Sequence, residues 1–397
     1  MPAMTQRPKR ITFFSTDLAN NNVVRSVPIV KVLARRYEVE TVGPLFGDDQ
    51  IYLPYRDELA WRAVRAPGAA EMRPRSWARL WGQLAAIATG DVLYAFKPML
   101  GSFGAALWAR LHRRRPVILD IEDWDAAPFH QLNARARRSP RQIGRLLRYQ
   151  YSACDLRLAE FLVPLATKRV VSSTFLQDRY GGTRVVQGVD CRVFDPSLFA
   201  RGPARDALGI DPSDIVVLFA GTIGPHKGVD DLVAAIRAAA RSDLRLLVAG
   251  PTDDPALRLA AAFPDIVRLL GPRPHTEMPP LLCAADIVCL PQRDVPYARA
   301  QIPAKVFEAM AMEKAIVATA VSDLPEILSD CGIVVQPNDL GALSRALAML
   351  AGDPTRRSGL GARARARCKR LYSWDAMEDP LVSVVEATLS GGRRAHH

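Results

Sequence analysis

The segment IPAKVFEAMA, residues 302–311, has the residue types and spacing of a nucleotide-binding helix. Pro303 fits the first turn of a helix, where an N–H group is not needed, and Lys305 and Glu308 then share one helical face. The amides that begin at Ile302, together with the Lys305 ammonium, attract phosphate. The Glu308 carboxylate accepts hydrogen bonds from a diol such as ribose. The alternative is an ordinary amphipathic helix with a surface ion pair.

A second segment, GTIGPHKG at residues 221–228, joins a predicted strand at 215–220 to a predicted helix that begins near Val229. A strand, a glycine-containing turn, a lysine and a helix N-terminus together form a diphosphate site, in which Lys227 supplies the cation. The spacing matches neither a P-loop nor a dinucleotide-binding fingerprint. The alternative for Lys227 is a plain surface lysine.

An acidic cluster, DIEDWD at residues 120–125, lies at the end of a predicted strand at 117–121. Because the carboxyl ends of parallel strands form the site in doubly wound folds, we expect Glu122 or Asp123 to orient or deprotonate a substrate hydroxyl. Neighbouring carboxylates raise one another's pKa values, which suits a base. In the structural alternative, Asp120 is a cap and Asp123 accepts hydrogen bonds from loop amides.

The first predicted strand, at residues 10–14, runs into a polar loop that ends in Asn20, Asn21 and Asn22. Asparagine tolerates left-handed backbone and supplies amide groups. This loop is therefore a candidate for contact with an acceptor or a phosphate. Otherwise it is simply a polar connection.

The chain has 397 residues, of which 49% are hydrophobic. This size and composition indicate two domains of ordinary α/β size and exclude wholesale disorder. The polar, basic start shows no secretory pattern, and no apolar run approaches the roughly 20 residues of a membrane span. The six cysteines have no CxxC spacing and are typical of buried thiols. We therefore expect a cytoplasmic protein, with any membrane contact peripheral and at the inner face.

The positive charge is concentrated in the first half. Residues 1–186 contain 29 Lys and Arg against 16 Asp and Glu, a net charge of +13 within a chain total of +12. Two segments hold most of the excess, 61–84 and 135–157, and the first interleaves arginine with tryptophan. This composition is typical of contact with an anionic bilayer. A solvated basic face is the alternative, and the sequence shows no module for nucleic-acid recognition.

Strand-like and helix-like segments alternate through both halves, which indicates an α/β protein with two parallel sheets. In the first half, further strands are predicted at 39–42, 92–95, 117–121, 170–172 and 185–186. The pattern breaks near Gln187, and a new series follows at 215–220, 244–249, 267–270, 287–290, 315–318 and 332–335. A last amphipathic helix is predicted after YSW at 372–374.

Several segments, in this order, resemble the retaining glycosyltransferases of family four, which have the two-domain GT-B fold. In the second half these segments are FAGTIGPHKGVDDLVAAI, LLVAGP, IPAKVFEAMAMEKAIVAT and DLPEIL, and the likeness covers residues 185–380. Looser matches in the first half are DVLYAFKP, RPVILDIEDWD and VVSSTFLQDRY.

The resemblance implies two Rossmann-like doubly wound domains that face each other across a cleft. It implies an acceptor-side domain at 1–187, a nucleotide-sugar-binding domain at 188–372, and a helix and tail at 373–397 that cross back to the first domain. It also implies a nucleotide-sugar donor, a sugar or lipid-linked acceptor, and no metal or other cofactor. The implied activity is hexosyl transfer in the assembly of a surface polysaccharide or glycolipid.

Carried over by position, Lys227 would be the catalytic cation on the departing nucleotide and Glu308 the ribose ligand. The turn that contains Arg273 would lie near the base. The donor-binding residues that the resemblance implies are Gly221, Thr222, His226, Lys227, Gly228, Arg273, Ile302, Pro303, Lys305 and Glu308.

Three positions depart from the family pattern: Thr222 replaces an arginine, Ala300 a glutamate and Glu122 a histidine. Asp123 and Asp125 also have the DxD spacing that holds Mn²⁺ in one-domain transferases. Two further functions therefore stay open, a sugar-nucleotide epimerase with the same fold and a catalytically weakened nucleotide-binding subunit.

Overall fold

The computed structural model describes residues 9–20, 23–47, 50–52, 55–68, 71–127 and 153–394. The chain forms two compact units. The first unit contains the described residues up to Val186 and those from Met377 onward, and the second runs from Gln187 to Ala376. Each unit is built around one parallel sheet.

The sheet of the first unit has seven parallel strands in the order β3-β2-β1-β4-β5-β6-β7. The strands are β1 (Arg10–Phe14), β2 (Glu38–Phe46), β3 (Trp61–Ala66), β4 (Val92–Phe96), β5 (Val117–Ile121), β6 (Lys168–Val171) and β7 (Thr183–Arg184). All residues of β4 and β5 are buried, as expected for strands covered on both faces. The strand order reverses between β1 and β4, and loops at the carboxyl end of such a switch point form the sites of doubly wound folds.

The described helices of the first unit are α1 (Ser26–Leu33), α2 (Pro74–Ile87), α3 (Ala105–Arg113), α4 (Ala153–Leu162) and α5 (Thr174–Tyr180). A π-helical turn, Leu100–Gly104, precedes α3. The indoles of Trp77 and Trp81 stack on each other, and Trp81 Nε1 donates to the Leu100 carbonyl at 2.8 Å. Trp77 is only 5% exposed. Trp77 and Trp81, two of the three tryptophans of segment 61–84, therefore pack against the rest of the first unit.

The second unit contains a six-stranded parallel sheet in the order β10-β9-β8-β11-β12-β13, which has its own reversal between β8 and β11. Its strands are β8 (Ile215–Ala220), β9 (Leu244–Ala249), β10 (Val267–Gly271), β11 (Ile287–Leu290), β12 (Ala315–Thr319) and β13 (Ile333–Val335). Its helices are α6 (Arg201–Asp206), α7 (Val229–Ala238), α8 (Asp254–Ala262), α9 (Met278–Ala284), α10 (Pro296–Ala300), α11 (Lys305–Ala311), α12 (Leu324–Ile327), α13 (Leu340–Gly352) and α14 (Pro354–Leu371).

The last helix, α15 (Trp374–Arg394), starts in the second unit and continues in the first. Lys9 and Tyr37 both donate to the Glu386 carboxylate at 2.8 Å, which attaches the helix to the first unit. Arg35 and Arg36 form ion pairs with Glu378 of the same helix. Among the described residues, no helix combines the length and the apolar character that crossing a bilayer would require.

The fold class predicted from the sequence, two Rossmann-like α/β domains, is confirmed. Two strand predictions were wrong in the first unit. Strand β3 was missed because this edge strand contains two arginines, Arg62 and Arg65, and no buried residue, and the final strand is Thr183–Arg184 rather than 185–186. Both errors concern edge strands, where the hydrophobic pattern is weakest.

Candidate functional site

The turn after β8 is shaped by two glycines with positive φ, Gly221 at +146° and Gly228 at +67°. A Cβ atom on Gly228 would lie 1.9 Å from the Pro291 carbonyl oxygen, so only glycine fits there. Between them, Pro225–Lys227 forms a short 3₁₀ turn that leads into α7. This turn places Lys227 at the carboxyl end of β8, one of the two central strands of the sheet.

Lys227 donates a hydrogen bond to the Gln301 side-chain oxygen, which comes from the loop between α10 and α11. Gln301 in turn lies 3.3 Å from the Tyr297 hydroxyl. Segments that are 74 residues apart in the sequence therefore meet at one ammonium group. The sequence analysis did not identify Gln301, because glutamine has no characteristic spacing relative to the lysine. Its neighbour Ala300, which occupies the usual glutamate position, is fully buried.

Glu308 lies on α11 and is 5% exposed, so the pair that it forms is not a surface ion pair. Lys305 Nζ lies 3.0 and 3.1 Å from the two carboxylate oxygens of Glu308, and His275 Nε2 lies 3.3 Å from Glu308 Oε1. Burial raises the pKa of Glu308, but the Lys305 ammonium and the His275 hydrogen bond outweigh it and hold the pKa below the ordinary value. The structure thus keeps an ionised carboxylate that can accept hydrogen bonds, at the position proposed for ribose.

The structure differs from the sequence prediction at the start of α11. The helix begins at Lys305, so Ile302 and Pro303 precede it rather than form its first turn. His275, which the sequence analysis passed over, is the residue that reaches Glu308 from the turn after β10. Arg273 of the same turn points elsewhere, because its guanidinium donates to the Leu270 carbonyl and to Glu277.

The remaining residues of the donor turn have different surroundings. Thr222 is exposed. The His226 ring packs edge-on against Tyr297, with 5.3 Å between the ring centroids. Arg293 donates through its backbone N–H to the His226 carbonyl and through its guanidinium to the Pro225 carbonyl, which fixes the turn from the β11 side. His226 therefore has a packing role in this structure.

In the first unit, Asp120 belongs to the core and not to the site. Its carboxylate accepts from Arg25 at 3.0 Å and from the Tyr94 hydroxyl at 2.7 Å, and all three residues are buried. Breaking a buried pair of this kind by removing one partner costs roughly 3–5 kcal/mol. The expectation that Asp120 is a cap is replaced by this role as a counter-ion to a buried arginine.

The other carboxylates of the acidic cluster gather around Lys97, a residue that the sequence analysis did not single out. Lys97 Nζ lies 2.6 Å from Asp123, 3.5 Å from Asp125 and 3.9 Å from Glu122. Asp123 therefore has a lysine as its partner. The DxD pair shares that ammonium, so its negative charge is partly neutralised by a side chain. In the described parts of the chain, no group of three or more His, Cys, Asp and Glu side chains is arranged to hold a metal ion.

Lys97 has a positive φ of 63°, which is unusual for a residue with a side chain. Its backbone is fixed at both ends: the N–H donates to the Asp120 carbonyl at 2.8 Å, and the carbonyl accepts from the Met99 N–H and the Ser102 hydroxyl. Strained backbone of this kind occurs where the surrounding structure determines one geometry, and often at functional sites. Here the backbone conformation of Lys97 places its ammonium next to Asp123, at the carboxyl ends of β4 and β5.

Glu122 has the most strongly altered proton affinity of this cluster. Burial and the Asp123 charge raise its pKa to about 8, against the opposing effects of Lys97 and Arg25. Burial also raises the pKa of Asp125, to about 6. At neutral pH the Glu122 carboxyl therefore holds a proton, and it becomes a base just above neutrality.

Asn20 donates to the Asp17 side chain at 2.7 Å, and the Ala19 N–H donates to the same carboxylate. This is the geometry of a polar turn that is closed by an aspartate. Asn21 and Asn22, the other two members of the proposed phosphate loop, lie outside the described residues, as does most of the basic segment 135–157.

Comparison with known proteins finds a family match within the second unit. Residues 214–353 match the family described as glycosyl transferases group 1. A mannosyltransferase from Corynebacterium glutamicum, described as GDP-mannose-dependent and acting on a monoacylated phosphatidylinositol monomannoside, is 30% identical over 212 residues, which are 50% of this chain and 55% of the relative. A D-inositol 3-phosphate glycosyltransferase from Segniliparus rotundus is 32% identical over 225 residues, 53% of this chain and 48% of the relative. The chain thus spans about half the length of the curated relatives it matches.

Solved structures show the same fold over nearly the whole chain. The alignment with sucrose-phosphate synthase from Thermosynechococcus elongatus includes 96% of this chain and 100% of that protein, with a TM-score of 0.71 and 18% sequence identity. The alignment with HepE from Anabaena, which was solved in complex with UDP-glucose, includes 95% of this chain and 99% of HepE, with a TM-score of 0.71 and 17% sequence identity. The alignment with the glycosyltransferase WaaG includes 94% of this chain and 98% of WaaG, with a TM-score of 0.67 and 16% sequence identity. These likenesses establish the GT-B fold.

Proposed function

We propose that this chain, which has the GT-B fold and whose residues 214–353 match the glycosyl transferases group 1 family, transfers a sugar from a nucleotide-sugar donor to an acceptor hydroxyl. The observation that most supports the proposal is the arrangement at the carboxyl edge of the second sheet. There, Lys227 on a glycine turn and the buried, ionised Glu308 are brought to one sheet edge from segments 81 residues apart. A cation suits the diphosphate, and a carboxylate suits the ribose diol.

Lys227 would act electrostatically. As the bond between sugar and phosphate breaks, negative charge grows on the departing nucleotide, and an ammonium already held in place stabilises that charge without reorganisation. Its hydrogen bond to Gln301 keeps the side chain positioned. We propose that this cation replaces a metal ion and that the reaction retains the anomeric configuration.

In the first unit, Glu122 and Asp123 would bind the acceptor hydroxyl, with Glu122 as the group that accepts its proton. The acceptor we propose is a sugar or polyol attached to a lipid or a surface glycan. The names of the two curated relatives, which concern inositol-containing acceptors, are consistent with a polyol. We propose that the acceptor is assembled at the inner face of a membrane, where this protein would be peripheral.

The proposal is tested first by the melting temperature of the protein with UDP, GDP, ADP and dTDP at millimolar concentration. Binding to the folded state stabilises it by mass action, so ligand at 100 times its Kd adds about 2.7 kcal/mol. We expect one or two of the four nucleotides to shift the melting temperature, with the shift unchanged by excess EDTA. If none of the four changes it, the donor assignment is wrong.

The reaction itself is tested with the nucleotide sugar of the base that binds. Release of nucleotide together with a glycoside whose anomeric configuration matches the donor, read by NMR, is the expected result. A released nucleotide with no glycoside, but with a rearranged free sugar, would instead indicate an epimerase. Tight binding without any turnover would indicate a nucleotide-binding subunit.

Glu308→Gln should abolish most of the nucleotide-induced rise in melting temperature. A neutral amide accepts weaker hydrogen bonds from the ribose, and it leaves Lys305 and His275 without their carboxylate. The matched control is Asp243→Asn, which removes a carboxylate that pairs with Arg241 just before β9, at the opposite edge of the sheet. Equal shifts in Glu308→Gln and wild type would remove Glu308 from the donor site.

A further inference from the structure

Four large apolar side chains on the first unit are unusually exposed. Leu111 at the end of α3 is 77% exposed, and Phe161 near the end of α4 is 79% exposed. Leu158 and Leu165 in and just after α4 are 46% and 53% exposed. Single exposed apolar residues are common, but a group of them marks an interaction site.

These side chains belong to one continuous surface. The Arg110 guanidinium, next to Leu111, donates to the Leu165 carbonyl at 2.7 Å and so joins the end of α3 to the residues after α4. The two helices also approach each other through the π-helical turn that precedes α3 and contacts α4. Together with the exposed Arg113 and Arg157, the four residues form what we call the cationic–apolar surface.

The charge around this surface is mainly positive, although α4 also contains Asp155. Residues 72–119, which include α2 and α3, contain eight Lys and Arg and a single acidic residue, Asp91. Glu160 on α4 is paired with residues of α5: its carboxylate accepts hydrogen bonds from Arg179 at 2.8 Å and from the Tyr180 hydroxyl at 2.6 Å. Its negative charge is therefore partly neutralised by Arg179.

We infer that the cationic–apolar surface binds the surface of an anionic lipid bilayer. Leucine and phenylalanine side chains enter the boundary between headgroups and acyl chains, while arginine side chains at their margin contact lipid phosphates. Each basic residue near an anionic leaflet adds roughly 1 kcal/mol of attraction, which salt weakens. Several charges and four apolar side chains together make a reversible membrane contact of useful strength.

The exposed side chains favour a bilayer over nucleic acid. Single-stranded nucleic acid is held by aromatic rings on which bases stack, together with a charged groove. Here three of the four exposed side chains are leucines, which provide no stacking surface, and the tryptophans of α2 pack inward. A lipid boundary accommodates leucine and phenylalanine equally well.

The test is co-sedimentation of the full chain with vesicles of phosphatidylcholine that contain about 30% phosphatidylglycerol, an anionic surface of the kind that attracts basic residues. We expect the wild type to bind, with at least a tenfold loss of the partition coefficient in Leu111→Asp/Phe161→Asp and a comparable loss at high salt. Leu257→Asp is the matched control, since Leu257 on α8 of the second unit is 53% exposed. It should bind vesicles like the wild type.

This inference rests on the proposed action at a membrane, but its test is separate from that of the proposed function. The nucleotide-induced rise in melting temperature should be unchanged in Leu111→Asp/Phe161→Asp, which also shows that the variant folds. Equal vesicle binding by this variant and the wild type would overturn the inference. So would undiminished binding to pure phosphatidylcholine, binding of single-stranded RNA in preference to vesicles, or a wild-type dimer that the double substitution dissociates.

Discussion

Lys227→Ala should lower the turnover of nucleotide sugar by about 100- to 1,000-fold, the effect of removing one preorganised electrostatic group from a transition state. The expected size reflects where the ammonium lies. It stands on a turn whose glycines fix the backbone, and Gln301 holds its end in place. A group fixed in this way stabilises the charge of the leaving nucleotide more than it stabilises the bound donor, so kcat should fall more than the affinity for donor.

Steady-state kinetics with nucleotide release as the readout measures this effect. Lys227→Arg keeps the charge and should recover part of the lost rate, whereas Lys369→Ala removes an exposed lysine on α14 and should have no effect. If Lys227→Ala changes KM alone and leaves kcat intact, the lysine binds the donor without contributing to catalysis.

Glu122→Gln should reduce transfer to the acceptor by about 100- to 10,000-fold, the usual contribution of a general base. Because its pKa lies near 8, the wild-type rate should rise with pH from about 6 to about 8 as the carboxyl loses its proton. The variant has no such group, so its residual rate should be nearly independent of pH over this range. Donor binding, measured by melting temperature, should be the same in both proteins.

The same carboxyl should also make stability depend on pH. The folded state keeps the Glu122 proton up to about pH 8, whereas the unfolded chain releases it near the ordinary value of 4.5. Between these values the folded state binds more protons, so this group makes the free energy of unfolding fall as pH rises. Glu122→Gln should therefore unfold at a higher temperature than wild type at about pH 8, with a smaller difference at about pH 5. A difference independent of pH would contradict the raised pKa.

The role of Lys97 is a consequence of the fold that the segment DVLYAFKP did not reveal. From sequence alone, a lysine that follows a strand is expected at the surface. In the structure, the positive φ of Lys97 and the hydrogen bond from Ser102 to its carbonyl direct the Lys97 side chain to the carboxylates that follow β5. Only the pairing of β4 with β5 brings Phe96 opposite Asp120, and thereby Lys97 near Asp123. Distances of this kind depend on strand register, which periodicity does not specify.

Gln301 and His275 illustrate the same dependence in the second unit. Both lie within a few residues of positions that the sequence did indicate, Ala300 and Arg273. Yet Gln301 reaches Lys227 and His275 reaches Glu308, while Ala300 is buried and Arg273 turns back to its own loop. Side-chain direction within a loop is set by packing against other segments, so a linear motif identifies the loop more reliably than the residue.

The order of residues along the chain was enough to predict the two-sheet α/β architecture, and it indicated the segments that contain Lys227 and Glu308 as the candidate donor site. Hydrophobic runs bounded by glycine and proline specify buried parallel strands, and a lysine between a glycine turn and a helix start is typical of a phosphate-binding position. The contribution of burial to the raised pKa of Glu122, the partner of each charged group and the packing of the tryptophans in α2 became evident only in the folded molecule. Those properties arise from desolvation and from charges on distant segments, which become neighbours only when the strands pair.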